Sequence, residues 1–409
     1  MSASDSITAG FLPLLDSAIL VAAREKGFTE EEDIALTLVR ETSWANIRDR
    51  VAVGHFEMAH MLAPMPIAAN LGLTPMRLDL LAPMSLGLGG NAVTVSAKLW
   101  AAMAGEGATG PDDPAAAGAA LRAVIERRRR KGEDTLRFGV VHPHSGHNFE
   151  LRYWLAACGI DPERDMEILI VPPPLTADAM AAGRIDGFCV GEPWNSVAVS
   201  AGLAHIATTK AAIWRSSPEK VLGVRQDWAR EHGSVLERLL RALHRASIWC
   251  GAADNHEELA DLLSAPAYLN QPAALLRGAL DGELETGGGT RRFPDFFVPS
   301  QKAAIFPWQS HALWFYSQMV RWGQVSHSAE NAETARRSFR PDIYRAALRP
   351  LGVPLPSASM KVEGALSVPT PVGVSAGQLV LGPDGFFDGA VFDPTRLDAY
   401  IASQRPAFR

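Results

Sequence analysis

The stretch GFCVGEPWN, residues 187–195, joins a small apolar run to a Glu-Pro-Trp-Asn corner. Residues Gly187 to Val190 predict a short buried strand, and Gly191-Glu192-Pro193 predict the turn into a helix, because Pro suits the first helical turn. The first N–H groups of a helix lack partners and carry partial positive charge, so such a corner can hold a small anion. Taken alone, the stretch is more typical of an ordinary strand-to-helix turn. We expect the Glu192 carboxylate to point toward its own helix, since it would repel an anion.

The same alternation of apolar strands and helical patterns occurs on both sides of this stretch. One set contains ITAGF, IALTLVRE and FEMAHML, and a second contains LRFGVVHPHSG, MEILIVPPP, DGFCVG and HIATT. Between the first two strands, Asp16 or Ser17 is placed to cap the helix that follows. Repeated βα units indicate a parallel sheet with helices on both faces. The two sets therefore predict an α/β fold of two lobes with a hinge and a central ligand cleft at the strand C-termini.

The predicted lobes are discontinuous along the chain. We assign residues 1–97 and 221–355 to the first lobe and residues 98–220 to the second. Residues 356–409 are rich in Pro, Ser and Gly, so we expect a tail that wraps the surface without a core of its own.

Composition argues against several classes of partner. The chain has 409 residues and a formal net charge of −6, so direct binding to nucleic acid or to an anionic membrane is not expected. No apolar run approaches the ~20 residues that cross a bilayer, and the start MSASDSITAG lacks the pattern of a secretory signal. The three widely spaced cysteines favour buried thiols. We therefore expect a cytoplasmic protein.

Motifs for catalysis or nucleotide binding are not found in the sequence. The Gly-rich pieces GLGLGGN and TGGGTRR lack the Rossmann and P-loop patterns, and neither G-x-S-x-G nor H-E-x-x-H occurs. His142, His144 and His147 cluster in VVHPHSGHN, but the nearby carboxylates do not supply a further ligand at workable spacing. A His at this turn more plausibly donates a hydrogen bond. We expect a protein that is not an enzyme and that uses no metal and no cofactor.

Three residues join Gly191 as candidates for a site. Trp44 begins a helix after IALTLVRE, His147 lies at the start of the helix after LRFGVV, and Lys220 precedes the returning strand VLGV. These residues meet only if their strand ends face one cleft, which is what two facing lobes produce. A Lys enclosed without a partner is costly, so we expect closure to depend on a bound anion.

The segments SWANIRDRVAVG, GNAVTVSAKL, LRYWLAACGIDPERD, FCVGEPWN and SSPEKVLGVRQDW resemble the nitrate/bicarbonate-binding branch of ABC-transporter substrate-binding proteins. The resemblance covers about residues 7–355 and implies the type II periplasmic-binding-protein fold. It implies an oxyanion held between the lobes by Trp44, Asn91, His147, Gly191 and Lys220. Family transporters can have the longer Gln where this chain has Asn91. The bicarbonate-binding members use an acidic residue and calcium where Lys220 stands, so Lys220 favours nitrate or nitrite.

The same resemblance implies a regulatory role. Within the branch, the chain is similar to the cytosolic nitrate/nitrite sensors of the NasS type, which regulate nitrate-assimilation genes. Such a sensor sequesters an RNA-binding antiterminator, a NasT-like protein, and releases it when nitrate or nitrite binds. The alternative is the substrate-binding component of a nitrate/nitrite, or less favourably bicarbonate, ABC transporter. An enzyme on this scaffold would need a nucleophile or an acid–base pair in the cleft, and the sequence offers no convincing one.

Overall fold

The computed structural model describes residues 4–404. Sixteen strands lie in this range: β1 Asp5–Phe11, β2 Ile34–Arg40, β3 Met58–Leu62, β4 Leu80–Ser85, β5 Leu88–Gly89, β6 Asn91–Ser96, β7 Leu136–Val140, β8 Met166–Ile170, β9 Gly187–Gly191, β10 Ala204–Thr209, β11 Lys220–Arg225, β12 Glu283–Glu285, β13 Thr290–Arg292, β14 Phe297–Val298, β15 Thr370–Val372 and β16 Leu379–Leu381.

Seventeen α-helices lie in the same range: α1 Ala18–Glu25, α2 Trp44–Ala52, α3 Pro64–Asn70, α4 Ala97–Ala104, α5 Pro114–Lys131, α6 Gly146–Ala157, α7 Thr176–Ala181, α8 Trp194–Ser200, α9 Lys210–Ile213, α10 Gln226–Glu231, α11 Gly233–Cys250, α12 His256–Ser264, α13 Ala273–Asp281, α14 Gln309–Arg321, α15 Ala329–Ser338, α16 Pro341–Leu348 and α17 Leu397–Ser403.

Two five-stranded sheets form the centres of two lobes, as the sequence predicted. The first sheet has the order β2-β1-β3-β11-β4 and the second the order β10-β6-β9-β7-β8. The consecutive βα strands pair in parallel, whereas β11 and β6 run antiparallel to their neighbours. Both antiparallel strands follow a crossing from the other lobe, so they enter their sheet from the opposite direction. Each sheet is therefore mixed.

The first crossing lies earlier in the chain than the sequence suggested. Residues 91–97 were assigned to the first lobe, but Asn91–Ser96 forms β6, which pairs with β9 and β10 of the second sheet. The assignment of residues 1–97 is wrong for this segment, and the chain crosses between Ser85 and Asn91. The segment GLGLGGN combines apolar Leu with Gly, so its composition did not mark the boundary between the two lobes.

The C-terminal residues up to 404 contribute buried side chains. The Phe386 ring stacks on Trp214 with 4.5 Å between centroids. Glu363 and Asp384 are buried, and both bind the Lys361 ammonium group. The tail was expected only to wrap the surface, but these contacts also anchor it in the hydrophobic core.

Local sequence places two candidate residues at helix starts. The Ser43 hydroxyl accepts a hydrogen bond from Asn46 N–H and caps α2, so Trp44 is the first residue of that helix. The Ser145 hydroxyl caps α6 in the same way by accepting from Asn148 N–H. Side-chain caps of this kind satisfy backbone donors that have no partner inside the helix. They fix where each helix begins.

Candidate functional site

The two crossing segments, residues 86–90 and 214–219, run beside one another between the sheets. Leu86 N–H donates to the Lys220 carbonyl at 2.9 Å, and Gly89 N–H donates to the Ser217 carbonyl at 3.0 Å. These bonds bring the start of β11 and the start of β6 to the same place. The residues predicted from the sequence lie around this point.

The lobes contact each other directly beside the crossings. Leu15 N–H, after β1, donates to the Glu192 carbonyl, after β9, at 2.8 Å. The Trp194 indole N–H donates to the Pro13 carbonyl at 3.1 Å. Both bonds join the first lobe to the GFCVGEPWN corner, so the cleft is closed at this end.

Lys220 is the central cation of the site and is buried. Its Nζ lies 2.8 Å from Asp16 Oδ2 and 3.0 Å from Glu219 Oε1. The same nitrogen lies 5.6 Å from the centroid of the Trp44 ring. A lysine ammonium has three N–H donors, and two are directed to carboxylates. One donor is left for a ligand or for the indole face.

Asp16 links Lys220 to a histidine in the first sheet. Its Oδ1 lies 2.9 Å from His60 Nε2, and the His60 ring is 5.3 Å from the Trp44 ring. Burial alone would raise the pKa of Asp16, but the charge of Lys220 and then the contact with His60 outweigh burial and hold that pKa at about 2. Burial lowers the pKa of His60. Asp16 is therefore ionised at neutral pH, and it does not make the helix-capping hydrogen bond predicted for it.

Glu219 makes the corresponding contacts toward the second lobe. Its Oε1 lies 3.3 Å from His147 Nδ1, and its Oε2 lies 2.5 Å from Lys210 Nζ. Burial would raise the pKa of Glu219, but His147, Lys210 and Lys220 together hold that pKa well below its usual range. Burial lowers the pKa of His147 to about 3. Glu219 is ionised and His147 is neutral at pH 7.

The buried cluster carries no net charge near neutral pH. Lys210 Nζ also lies 2.9 Å from Glu150 Oε1. Burial raises the pKa of that Glu150 carboxyl to about 8, so its protonated form predominates at pH 7. The charges of Lys220 and Lys210 are then balanced by Asp16 and Glu219. Closure was expected to depend on a bound anion because an enclosed lysine without a partner is costly, but Lys220 has two carboxylate partners, so this premise does not hold.

Several buried polar groups near the cluster lack a protein partner. Among the described residues, the indole N–H of Trp44, both amide atoms of Asn91 and Nε2 of His147 make no hydrogen bond. All three side chains are essentially inaccessible to solvent. Buried polar groups are nearly always paired, because an unpaired one costs about 1–3 kcal/mol. These groups are suited to a small ligand rich in hydrogen-bond acceptors.

Gly191 and Asn91 lie opposite each other on neighbouring strands of the second sheet. They are register partners in the antiparallel β6–β9 pair. A Cβ atom at Gly191 would lie 3.1 Å from Asn91 Oδ1 and 3.3 Å from Leu14 Cδ2. Any larger residue would therefore press on the unpaired amide and on the loop that carries Asp16. The Glu192 carboxylate accepts from Ser196 N–H in α8, as predicted.

Comparison with known proteins identifies the family. The family model described as "NMT1-like family" matches residues 2–264, which is more than half of the chain. The chain belongs to this family. It is 30% identical over 409 residues to the nitrate/nitrite binding protein NrtA of Synechococcus elongatus, covering 97% of this chain and 85% of NrtA. It is 34% identical to the nitrate import ATP-binding protein NrtC of Synechocystis, covering 84% of this chain, and it spans 50% of the length of NrtC.

A solved structure has the same fold. The crystal structure of the periplasmic nitrate-binding protein NrtA from Synechocystis matches with a TM-score of 0.86 and 26% identity, covering 98% of this chain and 99% of that chain. The two-lobed periplasmic-binding-protein fold is confirmed, and so is the resemblance to the nitrate/bicarbonate-binding branch. Along residues 4–404, no helix is both long and apolar enough to span a bilayer.

The structure places three of the five predicted residues, Trp44, His147 and Lys220, around one charged cluster. The other two, Asn91 and Gly191, pair beside the first crossing. As ligand contacts, all five stay predictions. Sequence reasoning missed the other members of the cluster: Asp16, His60, Glu150, Lys210 and Glu219. Of these, only Glu219 could have been found from the sequence, because it directly precedes Lys220 in SSPEK.

Proposed function

We propose that the protein binds nitrate or nitrite between its lobes. The observation that carries this proposal is a set of unpaired buried groups: those of Trp44 and His147 lie at the Lys220 cluster, and the Asn91 amide lies beside the first crossing. They lie in a fold similar to that of a protein described as nitrate-binding. Donors from both lobes would surround an enclosed anion, so binding would favour the closed arrangement.

The chemistry of nitrate suits such a site. Nitrate is planar and weakly basic, and its single charge is spread over three oxygen atoms that only accept hydrogen bonds. Trp44 Nε1 can only donate, and Lys220 retains one N–H. Asn91 can turn its NH₂ group toward an oxygen, and the one N–H of the neutral His147 ring reaches a ligand when the proton lies on Nε2 rather than on Nδ1, which faces Glu219. Donors of this kind match an anion that offers no hydrogen of its own.

Bicarbonate is the other ligand of the branch, and the cluster suits it less well. Bicarbonate carries an O–H that needs an acceptor, and because Asp16 and Glu219 are already bound to cations and histidines, this O–H would have to use the unpaired amide oxygen of Asn91. The resemblance also implies an acidic residue at position 220 for a calcium-dependent bicarbonate site. Lys220 supports nitrate or nitrite.

Calorimetric titration tests the ligand. Purified protein is titrated separately with nitrate, nitrite, chloride, and bicarbonate with and without calcium. We expect saturable heat with nitrate or nitrite, and a weaker signal or none with the others. Heat from bicarbonate with calcium, and none from nitrate or nitrite, would overturn the proposal.

We further propose that the protein is a cytoplasmic sensor that holds an RNA-binding antiterminator and releases it on binding nitrate or nitrite. The resemblance to sensors of the NasS type supports this role, and closure of the lobes would supply a ligand-dependent surface. A pull-down with a NasT-like antiterminator, with and without nitrate, tests it. A complex that forms but does not respond to nitrate contradicts the sensor.

The second candidate is the substrate-binding component of an ABC transporter for nitrate or nitrite. The names of the relatives NrtA and NrtC favour it. The two roles differ in location and partner. Cell fractionation of the native protein separates them, because a transport component accompanies the membrane permease, whereas a sensor copurifies with the antiterminator. In either role we propose binding without turnover, and chemical analysis of the ligand recovered after incubation checks that it is unchanged.

A further inference from the structure

Asp16 and Glu219 both form an ion pair with Lys220, but their other contacts differ. Glu219 contacts a second cation, Lys210, so its charge is balanced within the second lobe. The only lysine or arginine that forms an ion pair with Asp16 in the described range is Lys220. Its other ion-pair contact is the His60 ring, whose pKa is lowered by burial. The negative charge of Asp16 is therefore balanced by Lys220, the same cation that we propose for the ligand.

An anion that approaches Lys220 must share that cation with Asp16. The cluster is neutral before the anion enters, so an added charge faces repulsion from a buried carboxylate. Repulsion scales with the charge of the ligand and is weakly screened in a buried site. A dianion is therefore disfavoured far more strongly than a monoanion of the same shape.

We propose that Asp16 is a specificity-determining residue of the anion site, which lets a weakly basic monoanion share Lys220 and excludes dianions such as sulfate. This inference rests on the proposed function, because it assumes that the anion binds beside Lys220. It also explains why a site that must collect an anion contains a fully buried carboxylate. A site that selected only for negative charge would have no use for it.

The test replaces Asp16 by Asn, which keeps the size and one acceptor oxygen but removes the charge. Nitrate and sulfate are titrated into wild type and Asp16→Asn by calorimetry. We expect the ratio of nitrate affinity to sulfate affinity to fall at least tenfold in the variant, with sulfate binding becoming measurable. A ratio that is unchanged, or loss of all anion binding by a folded variant, overturns the proposal.

Asp384→Asn is the matched control. Asp384 is a buried carboxylate whose Oδ2 lies 2.8 Å from Lys361 Nζ in the C-terminal tail. Its loss removes one charge from another buried pair, so the selectivity ratio should stay at the wild-type value. A shift as large as that in Asp16→Asn would mean that any buried charge change alters selectivity, and this result also overturns the proposal.

A comparison in wild type keeps the proposal testable if Asp16→Asn does not fold. Perchlorate and sulfate are both tetrahedral, but perchlorate carries one charge and sulfate two. We expect perchlorate to bind measurably and at least tenfold more tightly than sulfate. Equal affinity, or no binding of either ion, counts against a role for Asp16 in excluding charge. If wild type binds neither nitrate nor nitrite, the proposed function itself is wrong. If wild type binds nitrate but shows none of these charge effects, only the proposed role of Asp16 is wrong.

Discussion

Replacing Lys220 by Met removes the ammonium group and keeps a side chain of similar length. Lys220 is 1% exposed and contacts two carboxylates. Glu219 keeps Lys210 and His147 as partners, whereas Asp16 keeps only His60. Removing one partner of a buried ion pair typically costs ~3–5 kcal/mol, because the other charge stays buried. We expect the free energy of unfolding to fall by about this amount at pH 7.5.

The loss should shrink as the pH is lowered. In wild type the pKa of Asp16 is held at about 2, below its usual value of 3.8, so Asp16 contributes stability above pH 3.8 that is lost as the pH falls toward 2. Without Lys220, burial dominates and the pKa of Asp16 should rise. Protonation of Asp16 at mildly acidic pH then removes its unbalanced buried charge, and with it part of the loss of stability in the variant. The difference in unfolding free energy between wild type and variant should therefore be smaller at pH 5 than at pH 7.5.

Urea unfolding at the two pH values measures the stability, and calorimetry at pH 7.5 measures nitrate binding. One charge-assisted hydrogen bond is worth ~1.5–3 kcal/mol, so nitrate affinity should fall ~10- to 150-fold. Lys361→Met is the matched control, because Lys361 binds the buried Glu363 and Asp384 in the tail. It should lose stability and keep nitrate affinity. A Lys220→Met variant with stability within 1 kcal/mol of wild type, or with wild-type nitrate affinity, would refute this reasoning.

Three other changes have defined outcomes. In Gly191→Ala the new methyl group would lie 3.1 Å from Asn91 Oδ1, so nitrate affinity measured by calorimetry should fall. The control Gly233→Ala, whose methyl group meets no atom within 4 Å, should leave nitrate affinity unchanged. Equal affinities of the two variants would contradict the close packing at Gly191. Trp44→Phe removes one N–H donor and keeps a ring, so nitrate affinity should fall by roughly fivefold, the equivalent of one neutral hydrogen bond, and an unchanged affinity would mean that the indole N–H does not bind the anion. Burial lowers the pKa of four histidines to about 3 or 4: His142, His144, His147 and His244. The unfolded chain therefore takes up protons first, and the free energy of unfolding should fall by about 1.4 kcal/mol per histidine for each pH unit between 6.5 and about 4. Burial raises the pKa of Glu150 to about 8 and that of Glu192 to about 7, and both shifts oppose this trend above pH 4.5. The four histidines outnumber them, so urea unfolding from pH 6.5 to 5 should show a net loss, and rising stability over that interval would contradict the assignment of neutral histidines.

The features that sequence predicted well are local. The strand Gly187–Gly191 and the helices that begin at Trp44 and Gly146 follow from apolar runs, turn residues and serine caps that are close together in the chain. Such signals act over a few residues, so they can be recognised without knowing the fold. Gly191 and Lys220 became site candidates from their places beside predicted strands, whereas Asn91 came only from the family resemblance.

The features that sequence missed depend on distant contacts. Asp16 and Lys220 are 204 residues apart, and no local pattern links them. The sequence offered Asp16 or Ser17 as a helix cap because their neighbours form a helix start, but the Asp16 carboxylate contacts Lys220 and His60. The neutrality of the cluster follows only from the packing of both lobes around Glu219. The sequence therefore predicted where an anion would bind, and the structure shows which carboxylates balance the charge of Lys220.

Titration of the wild-type protein with nitrate in nitrate-free buffer tests the central claim most directly. We predict saturable heat with one nitrate or nitrite per chain, and a handful of charge-assisted contacts is consistent with a Kd of about micromolar. No heat from either ion, together with saturable binding of bicarbonate and calcium, would contradict it.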